Sequence, residues 1–149
     1  MSSVNSQGSR LFYAPTATAW VDLAAGATPA NTFVQVLNLV DVDPKPNNIE
    51  EYDDSSLEDT APVPAMTVKP GSISFTKKKN SQSKTLLDFC DGTTKKVWAV
   101  LYLDGTAQTV TGRLKVSSGG RANAGDFKAK AQETYEVVGD TVLAQHDHA

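Results

Sequence analysis

Cysteine is nearly missing. Cys90 is the only one in 149 residues, so no intrachain disulfide can form and an oxidising compartment is not implied. Histidine is almost as scarce, with only His146 and His148, both near the C-terminal end. A Cys90 nucleophile would therefore have no base close by in sequence. Aromatic residues are 7% of the chain and scattered through it, which argues against the clustered face that a carbohydrate-binding module would need. No apolar run approaches the roughly 20 residues of a membrane helix, and no membrane partner is expected. The opening MSSVNSQGSR has no apolar core, so it does not read as a secretory signal. The expectation is a soluble protein made in a cytoplasm.

What remains suits a single globular domain over 1–149. Hydrophobic residues are 40% and charged residues 21% of the chain, enough for a core without covalent staples. The net charge of −3 is too small to suggest a general nucleic-acid binder, but its distribution is uneven. Asp41, Asp43, Glu50, Glu51, Asp53, Asp54, Glu58 and Asp59 crowd one segment, with only Lys45 among them. Lys69, Lys77, Lys78, Lys79, Lys84, Lys95 and Lys96 dominate the next. A chain acidic in one stretch and basic in the next can pair head to tail with copies of itself.

Apolar periodicity favours short strands. Arg10–Ala14 and Thr18–Leu23 flank Pro15, and Phe33–Asp43 is apolar on both parities, as expected of a central strand covered on both sides. Ser72–Lys79 alternates, with Ile73 and Phe75 on one face. Asn80–Gly92 is the one good helix candidate, with Ser81 or Ser83 as cap, Leu86, Leu87, Phe89 and Cys90 as its apolar side, and Gly92 as its stop. Lys96–Leu103 and Gln108–Val116 flank Asp104-Gly105, a strong hairpin signal, with Val110, Leu114 and Val116 inward. Ser117–Asp126 reads as a loop, Phe127–Val138 as a strand, Thr141–Ala144 as a closing strand, and 145–149 as a solvated tail. The sum is a mainly β sandwich or barrel of short antiparallel strands with one flanking α-helix.

The stretch from Asn48 to Thr76 is unusual. Pro62, Pro64 and Pro70 exclude a helix, and a loop as long as 50–69 inside a small domain is usually functional or disordered. No catalytic constellation accompanies it. Ser81 and Lys84 match the S-x-x-K pattern of serine acylases without its companion motifs. Cys90 sits on the apolar side of the candidate helix and reads as a core thiol. His146-Asp147-His148 lacks further rigid metal ligands, the acidic run does not follow a calcium-loop pattern, and Gly119-Gly120 lacks a phosphate-loop context. Lys77, Lys78 and Lys79 alternate between faces on a strand, so they make no flat basic stripe. They read as edge protection or as partners for acids of a neighbouring copy. The expectation is a non-enzyme with no catalytic residue, cofactor or metal.

The order of parts resembles the major tail tube proteins of long-tailed bacteriophages, chiefly the non-contractile, siphovirus-type kind, from about Gly8 to Leu143. The resemblance is carried by the Phe33–Val42 strand, by Ile49-Glu50 followed by Asp53, Asp54 and Leu57, and by Pro70-Gly71 leading into Ile73-Ser74-Phe75. A single helix, the Lys96–Val116 hairpin and a strand ending near Val142 complete it. The chain departs from the family at Tyr52, Asp53 and Asp54, where members often have a threonine-rich segment.

The resemblance implies hexameric rings stacked into a hollow tube, through which DNA passes during ejection without sequence-specific binding. Implied partners are the protein itself and the tape-measure, tail-terminator and tail-tip proteins of a virion assembled in a host cytoplasm. Tubes of contractile tails, gene-transfer particles or secretion needles would share the pattern. Contacts between copies are expected at Glu50, Glu51, Asp53, Asp54, Leu57, Glu58, Asp59 and Met66, and at Lys77, Lys78 and Lys79. Further contacts are expected from the N-terminal arm 1–9 and from the C-terminal segment.

Overall fold

Alternating apolar residues help build about half of the described residues into strands. A computed structural model describes residues 8–53, 64–121 and 131–149. In order these form β1 (Arg10–Ala14), β2 (Val34–Gln35), β3 (Leu39–Lys45), β4 (Asn48–Asp53), β5 (Pro64–Lys69), β6 (Ser72–Lys78) and α1 (Ser83–Phe89). They continue with β7 (Lys95–Leu101), β8 (Ala107–Arg121), β9 (Gln132–Gly139) and β10 (Ala144–His146). One antiparallel sheet runs β2-β1-β7-β8-β9-β6-β3, with β10 added to the start of β8, and β4 and β5 form a separate two-stranded ribbon. The fold is mainly β with one short helix.

The sheet path explains its shape. β2 and β3 stand at opposite ends of the path yet are separated only by Val36, Leu37 and Asn38. Seven strands laid flat would put their ends about 29 Å apart, whereas the link from Gln35 to Leu39 spans at most about 14 Å. The sheet therefore rolls on itself without a closing ladder. Asn38 makes the reversal possible at φ 58°, a left-handed conformation that asparagine tolerates better than most residues. This corrects the expectation of one central strand over Phe33–Asp43. The segment splits between two sheet edges, which leaves Val34, Leu37 and Val40 exposed.

The polar start of α1 ties the seam. Gln82 Nε2 donates to Gln35 O at 3.0 Å, and Leu37 N donates to Gln82 Oε1 at 2.9 Å. The helix is shorter than Asn80–Gly92, and neither serine caps it, because the cap position belongs to Gln82. Ser83 Oγ instead accepts from Asn80 N at 3.0 Å, while Asn80 Oδ1 accepts from Gln82 N at 2.9 Å. Leu86 is buried, Phe89 and Cys90 are half-buried, and Leu87 faces outward.

Two apolar layers result. Leu11, Tyr13, Phe75, Trp98, Val110, Tyr135 and Val137 pack with Leu86 inside the roll. On the outer side of β1 and β7, Phe12, Ala14, Val97, Ala99 and Leu101 lie under Phe33, Trp20 and Leu23. The strand expected at Thr18–Leu23 does not form, since both edges of β1 are already paired with β2 and β7. That segment drapes over β1 and β7 and covers their second face.

Several ends also move. Val110 and Leu114 point inward, but Val116 is exposed because β7 stops pairing with β8 at Arg113. β8 continues to Arg121, past the start of the expected Ser117–Asp126 loop, and the described part of β9 begins at Gln132. The rest of the expected Phe127 strand, and residues 1–7 of the N-terminal arm, lie outside the described residues. The closing strand shifts to Ala144–His146, so the last residues are not simply a solvated tail. His146 Nε2 lies 2.7 Å from Thr109 Oγ1, and Ala149 N donates to Leu23 O at 2.9 Å.

If the seam depends on the Gln82 amide, Gln82→Ala should lower unfolding free energy by about 1 kcal/mol, the scale of two half-exposed hydrogen bonds. Urea titration followed by tryptophan fluorescence measures this, and an unchanged midpoint would contradict it.

Candidate assembly interface

The long acidic segment is more regular than a loop. Asn48–Asp53 and Pro64–Lys69 pair in register, Ile49 opposite Val68 and Glu51 opposite Met66. Pro64 opens its strand, a position where its missing N–H is tolerated. The root is firmly tied. Asn47 Oδ1 accepts from Gly71 N at 2.7 Å and from Leu143 N at 2.8 Å, and Asn47 Nδ2 donates to Leu143 O at 3.1 Å. A Cβ at Gly71 would collide with the Lys45 carbonyl oxygen, which accounts for glycine at the Pro70-Gly71 re-entry.

Beyond that root the described ribbon makes no extended contact with the main sheet. Opposed residues share a face, so Ile49, Val68, Glu51 and Met66 lie together. Ile49, Met66 and Val68 are 59%, 64% and 48% exposed. On the other face Lys69 Nζ meets Glu50 Oε1 at 2.9 Å. An isolated two-stranded hairpin is at best marginally stable in water, and no other described strand packs extensively on this apolar stripe. Of the expected contact residues, Glu50, Glu51 and Met66 are exposed on it, and Asp53 ends β4. Asp54, Leu57, Glu58 and Asp59 lie outside the described residues.

The lysine trio separates by face. Lys78 and Lys79 are exposed at the end of β6 opposite the ribbon's root. Lys77 is fully buried, which removes it from any surface contact. It shares the parity of Ile73 and Phe75 and stands opposite Glu133 on β9. Its Nζ donates to Lys78 O and Asn80 Oδ1, both at 2.9 Å, and to Ser83 Oγ at 3.2 Å, with Glu133 Oε2 at 3.7 Å. Tyr135 OH donates to the same carboxylate oxygen at 2.7 Å. Burial pushes the Lys77 ammonium below its ordinary pKa against the opposing pull of Glu133. Burial, aided by Glu133, holds the Tyr135 phenol far above its usual range. Glu133 escaped the sequence reading, although its parity with Tyr135 and Val137 signals an inward carboxylate.

Two grooves among the described residues are relevant. One, about 380 Å³, runs along the seam between Gly8, Ser9, Leu39–Val42 and Tyr102, and carries Asp41. The other, about 440 Å³, lies between the end of α1 and β8, lined by Cys90, Gly92, Arg113, Leu114, Lys115, Val116 and Val138. The sequence signal for the second was partial: Val138 is an apolar residue at an outward position near Arg113, whereas Val116 has the inward parity of Leu114. Its rim is set by Asp91, whose carboxylate accepts from the backbone N–H and hydroxyl of both Thr93 and Thr94. Those bonds, led by Thr94 N–H, hold its pKa far below the ordinary 3.8.

The groups considered for chemistry are not assembled into a site. Lys84 pairs with Asp88 at 3.2 Å and Ser81 is exposed. Cys90 is half-buried rather than a core thiol. Its Sγ donates to Leu86 O, and burial, with Asp91 beside it, pushes the thiol pKa up. Trp98 is buried, and Trp20 packs edge-on against Phe33. No described group of three or more metal-ligating side chains comes together. No family model matches the chain, and no curated protein matches it.

Two outcomes test these geometries. Lys77→Met alone leaves the Glu133 charge buried without its partner, and should cost about 3–5 kcal/mol in urea unfolding. Adding Glu133→Leu should recover most of that loss. If the double variant is no more stable than the single one, the pair does not govern this part of the core.

For Asp91 the folded pKa lies below the unfolded one, so the unfolded chain binds more protons as acid is added. Its contribution is complete above pH 3.8 and drains as pH falls through the depressed value. Asp91→Asn, which keeps the Oδ1 acceptor, should show a shallower loss of stability between about pH 4 and pH 2. An acid limb identical to wild type would contradict the assignment.

Proposed function

We propose that this protein is a structural subunit that assembles with copies of itself through the β4–β5 ribbon. In its finer form, carried by the resemblance of its parts, the assembly is the stacked hexameric tube of a long-tailed bacteriophage tail. The observation that supports it most is the ribbon itself, anchored at its root by Asn47 and exposing Ile49, Met66 and Val68 beyond it. Covering such side chains contributes on the order of 1 kcal/mol apiece, and the same contact recurs in every copy of a homopolymer.

Polarity supports the same reading. The acidic ribbon leaves one end of β6 and Lys78 and Lys79 stand at the other. Unlike ends on one subunit favour heterologous contacts, which make rings or filaments. A carbohydrate-binding module draws no comparable support, because Trp98 is internal and Trp20 is packed.

Replacing Glu51–Thr67 by a short Gly-Ser linker should leave a folded subunit, since surface loops contribute little to closure, and should abolish assembly. Negative-stain microscopy and circular dichroism read the two properties. Tubes formed by the shortened protein, or a wild-type protein that stays monomeric at high concentration, would overturn the proposal.

A further inference from the structure

We propose that the groove between the end of α1 and the second half of β8 receives the β4–β5 ribbon of a second copy. Met66 would lie against Val116 beside Cys90, with Glu51 facing Lys115. The inference rests on the self-assembly reading above and adds the receiving surface to it.

Three observations select this groove. First, it exists because β7 stops pairing with β8 at Arg113, while β9 pairs with β8 as far as Arg121. Past Arg113, β8 thus has a described partner on one side only, and Val116 is left exposed despite its inward parity. A free strand edge with apolar neighbours is a ready site for another strand-like element.

Second, charge discriminates between these two described grooves. The seam groove contains Asp41 and would repel Glu51, whereas Arg113 and Lys115 line the α1–β8 groove. The ribbon's exposed face is apolar and acidic, and this groove is apolar and basic. Complementarity of that kind fixes partner and register.

Third, the lengths agree. Met66 lies three residues from the end of β5 at Lys69, about 10 Å along the ribbon. Val116 is opposite Tyr135, and Tyr135 is opposite Phe75, three residues or about 10 Å from the Lys78 end of β6. A ribbon entering a second copy from its Lys78 end therefore brings Met66 level with Val116 and Cys90. Lys78 and Lys79 are then passed by the acidic stem.

The lone thiol offers the test, because Cys90 lines the groove. Met66→Cys, at an exposed position, adds a second thiol on the ribbon. Treated under assembling conditions with a short bis-maleimide, this variant should give a ladder of covalent oligomers on a denaturing gel. Wild type and Met66→Cys/Cys90→Ser have one thiol each and cannot pass the dimer. In parallel, Arg113→Glu/Lys115→Glu should raise the concentration needed for assembly about tenfold, and adding Glu51→Lys should reverse part of that rise.

Assembled Met66→Cys protein with no species above dimer, or an unchanged assembly concentration in the Arg113→Glu/Lys115→Glu protein, overturns the groove and leaves self-assembly standing. A wild-type protein that never assembles overturns both.

Discussion

The ion pair of Lys77 with Glu133 holds together the parts that everything else hangs from. It joins β6 to β9 within the sheet and, through Asn80 and Ser83, joins both to the start of α1. A buried ammonium is tolerated only when its donors are used and its charge is matched. Here three acceptors and one carboxylate do this, and Tyr135 donates to the Glu133 oxygen that faces Lys77. An apolar pair of similar volume would fill the same space without fixing where the helix begins. The polar set specifies that position, and the position of α1 decides both the seam and the groove.

From that start the rolled sheet follows. Gln82, one residue before the helix, grips the end of β2 and the middle of its link to β3. Asn38 turns the chain so that neighbouring segments serve opposite sheet edges. Rolling buries Trp98, Phe75 and Tyr135 inside, and Phe12, Ala99 and Leu101 under the Pro15–Phe33 cover. What it leaves outside is informative. Among the described residues the ribbon pairs only with itself and carries an apolar stripe, two lysines mark the far end, and β8 past Arg113 pairs on one side only. These three features are what the proposed contact between copies would use.

Much of the local structure was legible in the residues. Ile73 and Phe75 alternate with serine and threonine, and the strand they predict is β6. Asp104-Gly105 between apolar runs marks the β7–β8 turn, where Gly105 adopts φ 93°. The acidic segment was legible as special because its prolines and charges forbid a buried role. Its folding into a ribbon was less so, since two short strands seven residues long or less carry little periodic signal against a polar background. Leu37 and Val40 misled for the opposite reason. An apolar run reads alike in a covered central strand and in two edge strands, because hydrophobicity reports what a residue prefers and not which neighbours reach it.

By itself, then, the sequence determined the class of fold, the two faces of most strands, the lack of disulfide stapling and the separation of acidic from basic stretches. These follow from side-chain chemistry and from periods of two or 3.6 residues, which act between near neighbours along the chain. Only the tertiary structure decided that Lys77 is internal while Lys78 and Lys79 stay at the surface. It alone showed that Phe33–Asp43 is divided between two edges, and that Arg113, Val116, Val138 and Cys90 meet in one groove. Those outcomes depend on which strands become neighbours. Glu133 lies 56 residues from Lys77 by number, and no local pattern encodes a contact that the rolling of the whole sheet creates.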